Sequence, residues 1–376
     1  MFRLLATDGA ARCGRLVTPH GAVETPVFMP VGTRGAVKSL SPDDLRAAGA
    51  QIVLGNTYHL LLRPGHELIR ELGGLHRFMG WDGALLTDSG GFQVWSLAKL
   101  RKISPDGVAF RSPVDGATHF LSPERAIEVQ HALGADVIHP LDECLGYPAT
   151  PAEAERSLAL TLAWAARSQA AHRARGAAGQ ALFGIVQGGS HEALRRRAAA
   201  ETVALGFDGY AIGGLAVGEP KAALYDLAGL VAGLLPADRP RYLMGVGKPE
   251  DLVEAVARGV DMFDCVLPTR NARNGQCFTW DGPVAIKHAR LARDPAPLDP
   301  ACGCYGCRRF SRAYLRHLFM SDELLAYRLL SLHNVHFFVG LARAMRTAIV
   351  EGAFGAFKAR FFSRYAVSSL DASRDR

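Results

Sequence analysis

Short apolar runs that end in glycine or a polar residue alternate along this chain with segments of helical periodicity. Such alternation is typical of repeated strand–helix units and a parallel sheet. The pattern predicts eight strands, at residues 51–56, 84–88, 136–142, 181–187, 209–213, 241–247, 260–264 and, more weakly, 276–280. Eight strands separated by helices favour an α/β fold of the (β/α)8 or TIM-barrel class.

Helix start signals lie between these strands. Ser122-Pro123 precedes the apolar segment 126–133, and Thr150 with Glu153 forms a capping box before a long Ala/Leu helix. Further helices are expected from Ser190 onward, over 220–235 and over 249–257. Residues 102–120 depart from the repeat, because Val114-Asp-Gly-Ala is a turn signal between alternating residues, and they predict a β-hairpin insertion.

Composition indicates an ordinary folded protein. The 376 residues are 49% hydrophobic and 21% charged, which excludes a disordered or collagen-like chain. No run approaches the roughly 18 consecutive apolar residues of a membrane span, so we expect a cytoplasmic protein with no membrane partner. Seven cysteines is an odd number, and the crowding of three of them indicates metal binding rather than disulfides.

The crowded cysteines are Cys302, Cys304 and Cys307, within a loop-rich stretch. Three thiolates and one imidazole make the closed tetrahedral set of structural zinc, so a histidine is needed as the fourth ligand. Spacing leaves His317, His333 and His336 open and favours His333. We expect one structural zinc per chain and three units: a barrel with N-terminal strands and the hairpin (1–286), a small zinc-binding subdomain near the C-terminus (287–345), and a C-terminal helix packing on the barrel (346–376).

The net charge of +7 is concentrated in one stretch. Residues 266–317 carry nine Lys or Arg against three Asp. Scattered arginines usually form a solvated face, but a local excess beside a metal cluster favours a polyanionic partner such as nucleic acid.

Several predicted strands end in polar or glycine residues, namely Asn56, Asp88, Asp142, Gln187, Gly213 and Asp264. In a barrel these residues converge on the C-terminal face, where active sites form. Paired carboxylates on this rim fit glycosidic-bond chemistry, in which one attacks C1′ and the other transfers protons. Gly245-Val-Gly-Lys248 fails as a phosphate loop because Pro249 replaces the required Ser or Thr.

Long motifs in this chain resemble those of the tRNA-guanine transglycosylase family, and the similarity runs from Thr25-Pro-Val-Phe-Met-Pro to the His333 segment. The matching strings are Leu86-Thr-Asp-Ser-Gly-Gly-Phe-Gln, Gly184-Ile-Val-Gln-Gly-Gly, Gly213-Gly-Leu-Ala-Val-Gly-Glu and Asp261-Met-Phe-Asp-Cys-Val-Leu-Pro-Thr-Arg. The family's zinc motif falls on Cys302, Cys304, Cys307 and His333.

The resemblance implies a pentosyltransferase of the bacterial type, which replaces the wobble guanine of tRNAs with GU(N) anticodons (Asp, Asn, His, Tyr) by 7-aminomethyl-7-deazaguanine (preQ1) in queuosine biosynthesis. By motif position, Asp264 is the implied nucleophile that forms a covalent aspartyl-tRNA intermediate, and Asp88 is the implied general acid/base, which also contacts the base. Phe92 and Met244 are the implied walls of a base-stacking slot. The family usually forms homodimers.

The other implied positions fall into two groups. Those expected to bind the base are Ser89, Asp142, Cys144, Gln187, Gly213, Gly214, Leu215 and Val217. Those expected to bind RNA are Gly245, Val246, Gly247, Lys248, Thr269, Arg270 and Arg273. A branched Val217 beside the 7-substituent is expected to admit the small aminomethyl base and exclude the bulkier queuine.

Two local departures from the family pattern bear on the site. His139-Pro140 stands where a more apolar stretch is expected, and Pro140 is expected to affect the approach of Asp142. Phe92 stands where some relatives carry Tyr. The alternatives are a hydrolase with a catalytic zinc, a non-enzymatic RNA-binding module, and the archaeal-type enzyme that acts elsewhere in tRNA; the closed Cys3His set argues against the first because catalytic zinc keeps an open position.

Overall fold

A computed structural model describes residues 2–93, 101–176 and 179–374. The chain begins with an antiparallel sheet of β1 (Phe2–Asp8), β2 (Ala11–Thr18) and β3 (Gly21–Thr25). The strands that follow are β4 (Val27–Pro30), β5 (Ile52–Gly55), β6 (Ala84–Thr87), β7 (Arg101–Ser104), β8 (Gly107–Arg111), β9 (Thr118–Leu121), β10 (Val137–Ile138), β11 (Ala181–Val186), β12 (Gly209–Ile212), β13 (Arg241–Leu243), β14 (Met262–Cys265), β15 (Gln276–Thr279) and β16 (Gly282–Ala285).

Eight of these strands form one parallel sheet in the order β4-β14-β13-β12-β11-β10-β6-β5. A parallel bridge between Val31 and Leu54 joins the two ends of the sheet. Alternate strand residues fill the interior, among them Met29, Leu54 and Phe183. The predicted (β/α)8 barrel is therefore confirmed.

One predicted barrel strand is wrong. Residues 276–280 contribute β15, which pairs antiparallel with β16 and with no barrel strand. The remaining barrel strand is β4, which pairs with β14 and is buried throughout. Only Pro26 separates β4 from β3, so the short Val27–Pro30 run is easily taken as part of the N-terminal antiparallel strands.

The helices between and after the strands are α1 (Pro42–Ala48), α2 (Thr57–Leu62), α3 (His66–Glu71), α4 (Gly74–Met79), α5 (Pro123–Leu133), α6 (Pro151–Ala174), α7 (Glu192–Leu205), α8 (Lys221–Leu234), α9 (Pro249–Val256), α10 (Leu267–Arg273), α11 (Tyr305–Arg309), α12 (Arg312–Met320), α13 (Leu324–Val350) and α14 (Phe354–Arg374). The predicted capping box is present, since the Thr150 side chain accepts from the Glu153 amide and Glu153 accepts from Thr150. The hairpin insertion is part of a three-stranded antiparallel sheet, β7-β8-β9.

Helix α13 is long and apolar enough to cross a membrane by length and composition. However, 67% of its most apolar window is buried inside the protein. The core helix of a folded domain passes the same test, and α13 packs both against the barrel and against the small core that contains Cys304 and Cys307. Its apolar character is therefore explained by burial within this fold.

Candidate active site and metal centre

Asp88 follows β6 at the C-terminal end of the barrel and both of its carboxylate oxygens accept hydrogen bonds. Oδ1 accepts from the Thr57 amide at 2.8 Å, and Oδ2 accepts from Asn56 Nδ2 at 2.6 Å and Gln93 Nε2 at 2.7 Å. Burial raises the pKa of Asp88 to about 6, and the charge of Asp264 adds to the rise although the three hydrogen bonds oppose it. Asp88 can therefore take up and release a proton near neutral pH.

Asp264 lies near the end of β14 and is hydrogen-bonded on one side only. Its Oδ1 accepts from the Tyr242 hydroxyl at 2.6 Å and from the Gly245 amide at 2.7 Å. Oδ2 accepts no hydrogen bond from the other residues that the structure describes. Burial raises the pKa of Asp264, and the bonds from Tyr242 and Gly245 oppose this rise by stabilising the carboxylate.

A second hydrogen-bonded group contains three of the predicted base-binding residues. Asp142 Oδ1 accepts from Ser89 Oγ at 2.9 Å, and Asp142 Oδ2 accepts from Gln187 Nε2 at 2.7 Å. All three side chains are buried, and burial raises the pKa of Asp142 while the two hydrogen bonds lower it. The ends of β6, β10 and β11 thus converge as the sequence predicted.

Gly213 and Gly214 pass close to Gln187. A Cβ added at Gly213 would lie 2.8 Å from Gln187 Nε2, and Gly214 has a φ of +63° with Gln187 Oε1 even closer to its Cβ position. A side chain at either position would displace Gln187, which explains glycine at the end of β12. Leu215, the next residue, is buried.

Arg195 on α7 holds this turn in place although no sequence signal singled it out. Its guanidinium is fully buried and donates to the carbonyls of Val186, Gly189, Gly213 and Gly214 at 2.7–3.1 Å. Because one buried cation binds carbonyls that follow β11 and β12, Arg195 fixes the ends of these two strands relative to each other.

A small pocket opens beside this turn, and its walls include Tyr147, Gly214, Leu215 and Val217. The Glu219 carboxylate accepts from the Ala216 amide at 2.5 Å and the Val217 amide at 3.0 Å, which fixes the loop on which Val217 sits. Cys144 is buried nearby, and burial raises its pKa to about 12. The Cys144 thiol is therefore protonated at neutral pH, and a thiolate nucleophile is disfavoured.

The predicted stacking residues differ in exposure. Phe92 is 47% exposed, which is unusual for a phenylalanine and leaves its ring accessible, whereas Met244 is half-buried after β13. Met244 directly precedes Gly245, whose amide contacts Asp264. An accessible aromatic ring on this rim is suited to stacking on a base.

The predicted RNA-binding residues lie in two segments of differing accessibility. Gly245 and Lys248 are exposed, while the Val246 side chain and Gly247 are buried. In α10, Arg270 is exposed, Arg273 is half-buried and donates to the Thr269 carbonyl at 2.9 Å, and Thr269 itself is buried. Lys248 and Arg270 are therefore the accessible cations of these segments.

β10 is two residues long and ends just before His139-Pro140, where Pro140 has no amide hydrogen to continue the ladder. Gln130 on α5 replaces the missing pairing: its Oε1 accepts from the His139 amide at 2.9 Å and its Nε2 donates to the His139 carbonyl at 2.8 Å. His139 Nδ1 lies 2.8 Å from the Thr87 carbonyl, which ties this segment to the residue before Asp88. Asp142 still reaches Ser89 and Gln187.

The four predicted metal ligands converge in the C-terminal region. The ligand atoms of Cys302, Cys304, Cys307 and His333 all lie within 4.8 Å of one another. His333 Nδ1 faces the sulfurs of Cys304 (3.7 Å) and Cys307 (3.3 Å), and its Nε2 donates to the Phe278 carbonyl at 2.8 Å. This orientation leaves Nδ1 to bind a metal, and three thiolates with one imidazole fit tetrahedral zinc.

Of the other two histidines that spacing allowed, His336 Nδ1 lies 3.5 Å from Cys302 Sγ but is not part of the four-ligand cluster. His317 lies on α12 and is exposed.

Sequence reasoning missed the residues that support the carboxylates. No sequence signal distinguishes Tyr242, Thr57 or Gln93, and Asn56 stands out only as a polar strand end. Tyr242 is the middle residue of β13 and points into the barrel interior among apolar side chains. A hydroxyl at such a position is a weak signal, because tyrosine is common in strands for its ring alone.

Comparisons with known proteins agree with the motif resemblance. The family model described as queuine tRNA-ribosyltransferase matches residues 8–367. A protein of that name from Solidesulfovibrio magneticus is 58% identical over 364 residues, covering 97% of each chain. The relative of the same name from Symbiobacterium thermophilum is 58% identical over 366 residues, covering 97% of this chain and 91% of its own, and that from Methylobacillus flagellatus is 57% identical over 360 residues, covering 96% of each.

Proposed function

The chain belongs to the queuine tRNA-ribosyltransferase family, and from this we propose that it exchanges the wobble guanine of tRNAs with GU(N) anticodons, those for Asp, Asn, His and Tyr, for preQ1. The enzyme is a tRNA-guanine pentosyltransferase of queuosine synthesis, with tRNA and a 7-deazaguanine base as its substrates. The base is replaced while the ribose stays in the tRNA chain. This exchange needs one group that attacks C1′ and another that transfers protons to and from the two bases.

The observation that carries this assignment is the unequal hydrogen bonding of the two carboxylates. Asp264 Oδ1 is held by Tyr242 and Gly245, so Oδ2 is the oxygen available to attack C1′ and form the aspartyl-tRNA intermediate. Asp88 has both oxygens engaged and a pKa of about 6, which suits proton transfer to the departing guanine and from the arriving base. The two residues therefore have different roles.

Base recognition rests on the group that Asp142 organises. With Ser89 and Gln187 fixing its orientation, Asp142 offers a carboxylate edge for the N–H groups of a purine-like base, and the Gly213-Gly214-Leu215 turn offers backbone groups. Phe92 and Met244 supply the faces of a stacking slot, which compensates the stacking that the base loses when it leaves the anticodon loop.

The pocket beside Val217 supports the choice of the aminomethyl base. Val217 and Tyr147 line a small pocket next to Leu215, and a branched side chain there leaves little room for the cyclopentenediol of queuine. The loop is held by Glu219, so it cannot easily retract.

The Cys3His cluster supports a structural zinc, one per chain, which organises the subdomain of residues 287–345. Zinc in this closed set joins α13, which carries His333, to the cysteine loop, where the local apolar core is small. Phosphates of the tRNA would lie along Lys248, Arg270 and the exposed cations near this subdomain. A homodimer in the cytoplasm, without a membrane partner, is part of the same proposal.

The experiment incubates the full-length protein with tRNA and the base, then resolves the products on denaturing gels. Asp264→Asn should abolish the covalent tRNA adduct and leave noncovalent tRNA binding within a few-fold of the unmutated protein, because nucleophile loss affects the transition state more than docking. Asp88→Asn, the matched isosteric change, should slow the exchange of radiolabelled guanine. An adduct in Asp264→Asn that survives denaturation would overturn the nucleophile assignment, and label outside the anticodon would overturn the proposed site of action.

A further inference from the structure

A second group of metal-ligating side chains lies at the end of the barrel opposite the active-site carboxylates. His20 is in the turn between β2 and β3, His76 is in α4, and Asp136 directly precedes β10. Asp142 follows the same strand. Because a residue before a strand and a residue after it lie at opposite ends of the barrel, this group is separate from the site that binds the base.

The three side chains already converge. Asp136 Oδ1 lies 2.7 Å from His20 Nδ1, and Asp136 Oδ2 lies 3.1 Å from His76 Nε2. The two imidazole rings are stacked, with centroids 3.5 Å apart and planes 17° from parallel. Three segments that are distant in the chain therefore bring three ligand atoms to within 4.8 Å of one another.

The two separations are hydrogen-bond lengths, and a cation can take the place of the shared protons. Ligands about 2.1 Å from an ion are about 3.0 Å apart in octahedral geometry and about 3.4 Å apart in the tetrahedral geometry that zinc prefers. The observed 2.7 and 3.1 Å are shorter than the tetrahedral value, so binding needs the side chains to move slightly apart, and His20 is exposed enough to do so.

The surroundings favour a partly hydrated site. The Asp136 side chain is 1% exposed and its Oδ2 also accepts from the Leu85 amide at 2.7 Å, which fixes the carboxylate. His20 is 38% exposed, so water can reach the open side of the group and complete the coordination. Two imidazoles and one carboxylate prefer zinc, nickel, cobalt or copper to magnesium or calcium.

We propose that His20, His76 and Asp136 form a second divalent-metal site, for zinc or a similar transition metal, at the end of the barrel opposite the active-site carboxylates. The ion is held by three protein ligands and water, so it binds more weakly than zinc in the Cys3His cluster and exchanges with solution. Its effect is structural: it ties the β2–β3 turn and α4 to the start of β10.

The test counts metal by equilibrium dialysis of the full-length protein against increasing zinc, followed by elemental analysis. The unmutated protein should take up one tightly held equivalent and then a second, weaker one, and its melting temperature should rise over the second step. His76→Gln should retain the first equivalent and lose both the second equivalent and the zinc-dependent rise in melting temperature.

The matched control is His172→Gln. His131 Nε2 and His172 Nδ1 are 2.8 Å apart on α5 and α6, but no carboxylate completes this pair in the metal-ligating groups of the described residues. His172→Gln should keep both equivalents, and its loss of the second would place the weaker ion at that pair and overturn the proposal. Saturation of the unmutated protein at one equivalent would also overturn it.

A second variant covers the case in which His76→Gln does not fold. His20→Gln changes a more exposed turn residue and should likewise lose only the second equivalent. In the unmutated protein, cobalt should give intense thiolate bands from the cysteine cluster first and weak bands without sulfur character afterwards. Persistence of those weak bands in His20→Gln would contradict the assignment.

Discussion

The Tyr242 hydroxyl donates a 2.6 Å hydrogen bond to Oδ1 of Asp264, the same oxygen that accepts from the Gly245 amide. Burial and the neighbouring carboxylate raise the pKa of Tyr242 well above its usual value, so the phenol keeps its proton and always donates. Tyr242 therefore stabilises the ionised form of Asp264 and leaves Oδ2 as the oxygen that we propose attacks C1′.

Removing this hydroxyl tests the relationship. Tyr242→Phe should raise the pKa of Asp264 further, because the lost hydrogen bond stabilises the carboxylate and such a bond to a charged group contributes about 1.5–3 kcal/mol. The ionised form of the proposed nucleophile then requires a higher pH, so the acid limb of the pH profile of base exchange should move to higher pH. An acid limb that stays in place would show that Tyr242 does not act through Asp264.

Asp88 should make the stability of the protein depend on pH. Its pKa is about 6 in the folded protein and 3.8 ordinarily, so the folded state binds the proton more tightly and stability falls as pH rises from about 4 to about 6. Asp88→Asn removes this loss and should raise the free energy of unfolding at pH 7 to 8 by up to about 3 kcal/mol, with little change at pH 4.

The amide of such a variant has an acceptor available, because Gln93 Oε1 is buried without a hydrogen bond among the described residues. Chemical denaturation at pH 4 and pH 8 measures the difference between the two proteins. Equal destabilisation at both pH values would show that titration of Asp88 does not cause the pH dependence of the free energy of unfolding.

His333 and His336 both lie near the cysteines, so alanine variants of the two test which histidine binds the metal. His333→Ala should lose the tightly bound zinc and lower the melting temperature, because Nδ1 of His333 completes the four-ligand cluster. His336→Ala should keep the zinc, although His336 Nδ1 lies 3.5 Å from Cys302 Sγ. Elemental analysis and thermal unfolding measure both effects, and zinc loss in His336→Ala alone would reverse the ligand assignment.

The size of the side chain at position 217 should set the base preference. The unmutated protein should incorporate preQ1 in preference to queuine, and Val217→Gly should narrow that preference by about 1–3 kcal/mol, the typical cost of overpacking. Val217→Ile should leave the preference intact or widen it. Competition between the two bases measures the ratio, and equal use of both by the unmutated protein would refute the pocket-size argument.

The exposed arginines of α11 should contribute to the salt dependence of tRNA binding. Arg308 and Arg309 are both exposed, and neutralising each should reduce the slope of log affinity against log salt by about 0.7–0.9. Arg196, which is exposed, and Arg197, which is half-buried, lie on α7 and pair with Glu192 and Glu155; they serve as the control pair and should leave the slope unchanged. An unchanged slope in the Arg308/Arg309 variant would place the RNA on another surface.

The sequence by itself determined the barrel class, seven of its eight strands and the convergence of the polar strand ends. The apolar runs and turn residues that mark the strands are local features of the sequence. The convergence of the strand ends follows because all strands of such a barrel run parallel. The cysteine cluster was equally clear, because three of its ligands lie within six residues.

Only the tertiary structure decided which groups support the chemistry. Val27–Pro30 becomes a barrel strand because β14 and β5 lie on either side of it, and its four residues carry no signal that separates them from β3. The Tyr242 hydroxyl reaches Asp264 across 22 positions of the chain, and the Gln130 side chain bonds both backbone groups of His139 in place of a neighbouring strand. Hydrogen bonds and pKa values at this site depend on distances between segments remote in sequence, which periodicity and composition do not specify.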